Sequence, residues 1–114
     1  MLDLESLFNL NYGMCIVSSK KDSISNGCIV NTVFQVTPEP PMMAISVNKQ
    51  NLTHEYIAES KVFAVSILVE ETPLEFIGRF GFKTGRNIDK FQGLSCRKGV
   101  TDAPIVLDNV MGFI

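Results

Sequence analysis

The chain has few of the residues from which self-contained active sites and membrane segments are built. Its 114 residues include no tryptophan, a single histidine at position 54 and three cysteines. One histidine excludes a multi-histidine metal site and leaves a Ser–His–Asp triad without a choice of base. The longest apolar run, VFAVSILV at positions 62–69, is far too short to span a bilayer. We therefore expect neither a self-contained hydrolase nor a membrane-spanning protein.

Phosphate-binding glycine motifs and a charge excess of one sign are missing too. Neither G-x-x-x-x-G-K-[ST] nor G-x-G-x-x-G occurs, and 10 basic against 12 acidic residues give a formal net charge of -2. There is no basic stripe for nucleic acid and no basic amphipathic segment for a membrane surface. The stretch MLDLESLFNLN lacks a positive n-region, so a secretory signal is not expected. The cysteines, without C-x-x-C spacing, predict three reduced, buried thiols in a cytoplasmic protein.

The hydrophobic pattern that is present predicts one mainly β domain. Hydrophobic residues make up 46% of the chain, enough for a modest core. Five strands are predicted, the first two as an antiparallel hairpin, over residues 13–19, 27–36, 42–47, 62–68 and 103–114. The fourth is apolar on both faces and is expected at the centre of a sheet, and prolines make a corner before the third. Strands linked by turns, with helices as insertions, favour an antiparallel sheet or small barrel over a βαβ sandwich.

Two short helices are predicted between these strands. The first runs from residue 52 or 53 to residue 60, with Asn51 or Thr53 as its N-cap. The second begins at TPLE, residues 72–75, where Thr, Pro and Glu fit the N-cap, the first helical position and the capping box. It is expected to end at one of the glycines at positions 78 and 81.

Small polar residues at the ends of strands are the first candidate ligand groups. Asn31 and Thr32 interrupt the second predicted strand on opposite faces, which is unusual for a purely structural strand. The loop SVNKQNLT, residues 46–53, offers amides, a lysine and a hydroxyl directly before a helix N-terminus. These are the components of a phosphate site. An ordinary capped helix after a strand is the alternative, and His54 in its first turn would then be structural or solvated.

The segment GFKTGRNIDKF, residues 81–91, is a second candidate. It carries Lys83, Thr84, Arg86 and Lys90, and its glycines permit a tight loop. The neighbouring phenylalanines at positions 80, 82 and 91 are expected to pin the loop to the body of the protein. A solvated charged loop is the alternative.

Together these segments resemble the flavin reductase-like, FMN-binding split-barrel family. The resemblance rests on YGMCIVSSKKDSISNGCIVNTVFQVTPEPPMMAISVNKQNLTHEYI (12–57), FAVSIL and FGFKTGRNIDKF (80–91), which cover most of the chain. The last segment is typical of the branch that includes flavoredoxin and the flavin domain of high-molecular-weight rubredoxins. The resemblance implies one domain over residues 1–114, an antiparallel Greek-key split barrel with two short helices. Family members continue with further strands, so this chain is expected to lack the last strands of the barrel.

The resemblance also implies a cofactor site built from three segments. The segment of Asn31 and Thr32 would lie against the flavin ring and ribityl chain, the loop 46–53 would hold the phosphate, and residues 83–86 would also reach the cofactor. The implied FMN-binding residues are Asn31, Thr32, Val33, Ser46, Val47, Asn48, Lys49, Asn51, Thr53, His54, Lys83, Thr84, Gly85 and Arg86. No catalytic side chain and no metal are implied, because the flavin carries the chemistry.

The implied activity is that of an FMN-dependent oxidoreductase. It would take electrons from NAD(P)H to the flavin and on to a small acceptor such as a rubredoxin, or release reduced flavin, as a cytoplasmic homodimer. Two alternatives stay open. One is a non-catalytic binder of flavin or another cofactor on the same split barrel, similar to the pyridoxamine-phosphate-oxidase relatives. The other is a structural or partner-binding β domain without a cofactor.

Overall fold

A computed structural model describes residues 13–114. The elements in this part of the chain are β1 Cys15–Lys21, β2 Ile24–Val30, β3 Val33–Pro38, β4 Pro41–Ile45, α1 Leu52–Ser60, β5 Ala64–Leu68, α2 Leu74–Gly81, β6 Cys96–Lys98, β7 Pro104–Val106 and β8 Val110–Phe113. Every strand pair is antiparallel. The predicted mainly β architecture with two short helices is confirmed. Tyr12 and the stretch inspected for a secretory signal lie outside the described residues.

The strands form one sheet of four and two sheets of two. The four-stranded sheet has the order β2-β1-β5-β8, and the small sheets are β3–β4 and β6–β7. The predicted hairpin is confirmed, with Cys15 opposite Val30 and Lys21 opposite Ile24. Asp22, with a φ of 55°, makes the tight turn between its strands. The prediction that the fourth strand, over residues 62–68, is central is also confirmed, since β5 pairs with β1 and β8.

Both faces of β1 are buried, and each face belongs to a different core. On one face Val17 and Cys15 pack with apolar residues of β2 and β5, among them Val65. On the other face Ile16 packs with Phe80 of α2 and with residues of β5 and β7. Alternation along an extended chain sends successive side chains to opposite faces, so a short apolar run in β1 supplies both cores.

The single strand predicted over residues 27–36 is wrong. β2 ends at Val30, the chain bends at Asn31, and β3 starts at Val33 in a different sheet. Thr32 makes its hydrogen bonds with Ser46 rather than along β2. The two polar residues therefore mark the point where the chain leaves one sheet for another.

The strand predicted over residues 103–114 is likewise two strands. A turn between β7 and β8 contains Asn109 in the left-handed region, with a φ of 59°. Asp108 of this turn accepts a hydrogen bond from the Ser95 N–H at 2.7 Å, which ties the turn to the start of β6. The short strand β6, which pairs with β7, was not predicted. Its three residues are all exposed and carry no apolar alternation that could have predicted it.

The first helix starts as predicted, whereas the N-cap of the second helix is not the predicted residue. The Asn51 side chain accepts from the Thr53 N–H at 2.9 Å and caps α1. The N-cap of α2 is Pro73, and the predicted Thr72 cap is wrong because the Thr72 hydroxyl donates to the Val69 carbonyl at 2.6 Å instead. The helix ends at Gly81, one of the two predicted positions. Within residues 13–114, neither helix has the length and apolar character needed to cross a membrane.

The prediction of three buried cysteines is wrong for one of them. Cys15 and Cys28 are buried and free, and burial raises the pKa of both thiols. Cys96 is also free but exposed, because it lies on β6, whose three residues are all exposed.

Candidate functional site

An apolar cavity opens where the chain leaves β2 for β3. It has a volume of about 410 Å³ and is lined by Gly13, Cys15, Asn31, Thr32, Val33, Phe34, Met43, Val65, Ile67 and Ile114. The Ser46 N–H donates to the Thr32 carbonyl, and the Thr32 hydroxyl donates to the Ser46 carbonyl, both at 3.2 Å. This reciprocal pair joins two segments that the sequence predicts as cofactor contacts. An apolar wall beside a few fixed polar groups suits a flat ring with a polar edge.

A second cavity follows along the chain from β4 into the next loop. It has a volume of about 390 Å³ and is lined by Ile45, Ser46, Val47, His54, Ile57 and Ala58. His54, in the first turn of α1, is partly buried there, and its backbone N–H bonds the Asn51 carbonyl at 3.0 Å. The predicted residues Ser46, Val47 and His54 are thus brought together around one cavity.

The two predicted polar loops meet at the N-terminus of α1. Between them lies a cavity of about 360 Å³, here called the loop cavity, lined by Asn48, Gln50, Asn51, Leu52, Gly81, Phe82, Lys83, Thr84 and Lys90. Backbone N–H groups at a helix start carry partial positive charge and favour anions. No carboxylate lines this cavity, so its charged side chains are both lysines. The arrangement suits a phosphate group.

Two contacts hold the second loop, one against α1 and one against β2. The Arg86 guanidinium bonds the Glu55 carboxylate, and this hydrogen bond is the main reason that the pKa of Glu55 lies below its ordinary value. Gly85 packs against the Asn26 amide so closely that a Cβ on Gly85 would lie 2.1 Å from Asn26 Oδ1. The same amide donates to the Thr53 hydroxyl at 2.9 Å. Gly85 and Arg86 therefore fix the position of the loop and do not line its cavity.

Lys90, one of the charged residues of the second candidate segment, is buried in the structure. Its side chain is only 2% exposed, and its ammonium donates to the Gly27 carbonyl at 2.9 Å and to the Phe80 carbonyl at 3.0 Å. Burial lowers the pKa of the Lys90 ammonium, and the nearby Cys28 opposes that shift. The signal for this burial was the adjacent Phe91, whose ring packs edge-on against Phe80 with centroids 5.6 Å apart.

The remaining predicted residues have mixed positions. Thr53 is fully buried, with its hydroxyl engaged by Asn26, and Lys49 is exposed without lining the loop cavity. Their predicted contacts with a phosphate stay predictions. The expectation that Phe82 pins the second loop is wrong, because Phe82 is 80% exposed. Phe80 and Phe91 do this packing.

A cavity larger than these three lies elsewhere. This groove of about 860 Å³ follows α2 and the second loop and is lined by Pro73, Glu75, Phe76, Arg79, Lys83, Asn87, Ile88, Asp89, Gln92 and Asn109. It includes one predicted ligand residue, Lys83, which also lines the loop cavity. Its side chains carry charges of both signs, so the groove lacks the one-signed character of the loop cavity.

The sequence matches a known protein family and two characterised relatives. Residues 7–113 match the family described as flavin reductase like domain. The chain is 43% identical over 113 residues to the high molecular weight rubredoxin of Moorella thermoacetica, covering 99% of this chain and 49% of that protein. It is 42% identical over 113 residues to the ferric-chelate reductase (NAD(P)H) of Archaeoglobus fulgidus, covering 99% and 67%. It thus spans about half the length of the first relative and two thirds of the second.

The fold comparison agrees with the sequence comparison. Flavoredoxin from Methanosarcina acetivorans superposes with a TM-score of 0.76 at 23% identity, covering 83% of this chain and 51% of that one. This likeness confirms the predicted split-barrel fold.

Proposed function

We propose, since this chain belongs to the flavin reductase-like domain family, that it binds FMN as part of an oxidoreductase. It would take electrons from NAD(P)H and pass them to a small redox partner or acceptor. The observation that carries the proposal is the loop cavity at the start of α1, close along the chain to an apolar cavity with a polar rim. The names of the two relatives, a rubredoxin and a ferric-chelate reductase (NAD(P)H), support the electron donor and the class of acceptor.

The residues present suit the two ends of the cofactor. The apolar cavity would take the ring, with Asn31 and Thr32 at its polar edge. The loop cavity would take the phosphate, with the amides of Asn48 and Asn51 and the charge of Lys83 around it. Bound FMN supplies hydride and electron transfer, which is why no catalytic acid or base is required of the protein.

The other predicted ligand residues enter the proposal in different ways. Ser46, Val47 and His54 line the second cavity. Thr84 lines the loop cavity, and Lys49 is an exposed cation on the same loop. Val33 lines the apolar cavity. Thr53 and Gly85 contact Asn26, and Arg86 contacts Glu55, so these three residues would act by holding the loops in place.

A homodimer is part of the proposal, supported by the β3–β4 ribbon. This ribbon pairs with no other strand of the described chain, and its Phe34, Val36 and Met42 are 57%, 55% and 54% exposed. Exposed apolar groups clustered on one element are typical of protein interfaces. Sedimentation should give a dimer for the wild type and a monomer for Phe34→Glu, and a monomeric wild type contradicts this part. A cytoplasmic location is proposed because all three cysteines are free.

The visible spectrum of the purified chain tests the central proposal. We expect a yellow protein, or a colourless one that becomes yellow and retains FMN after reconstitution and desalting. Anaerobic NADH or NADPH should then bleach the bound flavin, and rubredoxin or a ferric chelate should restore the colour. A chain that cannot be loaded with FMN contradicts cofactor binding. A loaded chain that neither nucleotide bleaches would be a flavin binder and not a reductase.

A further inference from the structure

The groove along α2 and the second loop, here called the α2 groove, adjoins the loop cavity. The two spaces share one lining residue, Lys83, so a single side chain borders both. The volume of the α2 groove, about 860 Å³, is typical of small-molecule sites. A ligand bound through a phosphate in the loop cavity therefore has room to extend past Lys83 into the groove.

Charge in the lining of the α2 groove is balanced. Glu75 and Asp89 supply two carboxylates against the cations of Arg79 and Lys83. The Arg79 guanidinium donates to the Gln92 carbonyl, which joins α2 to the end of the second loop. A cleft attracts a charged ligand when its lining carries one sign of charge, and this lining does not. The groove therefore favours a neutral group.

Amide and apolar side chains in the same lining suit a nucleobase. Asn87, Gln92 and Asn109 line the groove together with Phe76 and Ile88. Asparagine and glutamine amides form paired hydrogen bonds with adenine, because each amide both donates and accepts. Aromatic and aliphatic side chains provide a surface against which a base packs. The α2 groove thus offers both kinds of contact that an adenine requires.

Backbone hydrogen bonds hold the amide residues of the second loop in place. The Asn87 N–H donates to the Thr84 carbonyl at 3.1 Å, and the Gln92 N–H donates to the Asp89 carbonyl at 3.3 Å. The Gln92 carbonyl also accepts from the Arg79 guanidinium. Residues that are already ordered lose less conformational freedom when a ligand binds, so these amides are positioned to form a ligand site.

We propose that the α2 groove binds the adenosine monophosphate half of FAD, the dinucleotide in which AMP is joined to the phosphate of FMN. The inference rests on the proposed function, in which the loop cavity holds that phosphate. It deepens that function, because it assigns a further subsite and predicts a preference of this chain for FAD over FMN. Lys83, on the border of the two spaces, would lie beside the pyrophosphate.

Comparing FAD with FMN tests the inference. Dissociation constants are measured by isothermal titration calorimetry for the wild type, the double variant Asn87→Ala/Gln92→Ala and the control Gln35→Ala. Gln35 is an exposed amide residue on β3 and does not line the groove. We expect the wild type to bind FAD about tenfold more tightly than FMN. The double variant should lose about five- to one-hundredfold in FAD affinity, because it lacks two neutral hydrogen bonds. Its FMN affinity should change by less than about twofold, and Gln35→Ala should leave both constants unchanged.

Equal affinities of the wild type for FAD and FMN would overturn the inference and leave the proposed function intact. A preference for FAD that the double variant keeps would do the same. Both substituted side chains are exposed, and thermal unfolding checks that the variant folds. If it does not fold, the wild type labelled with ¹⁵N in its side-chain amides decides: the Asn87 and Gln92 resonances should shift with FAD but not with FMN. Identical shifts with the two flavins overturn the inference, whereas a wild type that binds neither flavin overturns the proposed function as well.

Discussion

Replacing Gly85 with alanine tests whether close packing against Asn26 of β2 holds the second loop in place. A Cβ at this position would lie 2.1 Å from Asn26 Oδ1 and 2.6 Å from its Cγ. Asn26 cannot easily move aside, because it is 2% exposed and its amide donates to the buried Thr53 hydroxyl. The φ of Gly85 is outside the left-handed region, so the effect is steric and not backbone strain.

The magnitude follows from the two contacts that must change. Forcing an extra methyl into a packed site costs about 1–3 kcal/mol. Displacing Asn26 also leaves the Thr53 hydroxyl without its donor, which costs about 1–3 kcal/mol for a buried group. Because the two effects share one side chain, they do not add in full, and we expect Gly85→Ala to lower the free energy of unfolding by about 2–4 kcal/mol. FMN binding should weaken as well, since Lys83 and Thr84 move with the loop.

Urea unfolding followed by a tertiary-structure probe measures this change. Gly112→Ala is the matched control, because nothing lies within 4 Å of a Cβ built there. Its free energy of unfolding should stay within about 0.5 kcal/mol of the wild type. In an Asn26→Ala background the obstructing amide is gone, and Gly85→Ala should cost less than about 1 kcal/mol. A stable Gly85→Ala single variant, or an equal cost in both backgrounds, would refute the packing argument.

Three further predictions address the cap, the ion pair and the thiols. Asn51→Ala removes the cap of α1 and should lower the free energy of unfolding by about 1 kcal/mol in a urea titration. The control Gln50→Ala should leave that free energy unchanged. The hydrogen bond from Arg86 lowers the pKa of Glu55, so their contact stabilises the fold above the ordinary Glu pKa and is lost as the pH falls through the lowered value. Arg86→Gln should raise the pKa of Glu55 in an NMR titration, and an unchanged pKa would contradict the contact. A thiol reagent should label Cys96 alone in the folded protein and all three cysteines after unfolding; three labels before unfolding would contradict the burial described.

The hydrophobic periodicity of the sequence predicted most of the strands. It missed the points where the chain leaves one sheet and enters another. The hairpin was predicted because a polar turn separates two apolar, β-branched runs. The central strand was predicted because its run is apolar on both faces. The break after Val30 was not, because CIVNTVFQV continues to favour an extended chain and strand pairing is set by distant residues. Asn31 and Thr32 were recognised as unusual, but their role in ending one strand was not.

The site was partly predictable for a similar reason. Residue types alone identified both polar loops, yet their meeting depends on Arg86 with Glu55 and on Gly85 with Asn26, pairs that no local pattern relates. The sequence presents Lys90 as one of the charged residues of the second candidate segment and does not predict its burial, because lysine is almost never fully buried. Its burial follows from tertiary packing around Phe80.

The contacts that close the loop cavity also bear on the order in which the chain folds. Lys90 and Gly27 are 63 residues apart, Arg86 and Glu55 are 31 apart, and Asn26 and Thr53 are 27 apart. The entropic cost of closing a loop grows with its length, and contacts between distant residues form slowly. The β1–β2 hairpin, with its tight turn, can form early, whereas the cavity requires both distant loops at once. A collapsed intermediate with native strands would therefore still lack the loop cavity, which forms only when the fold is complete.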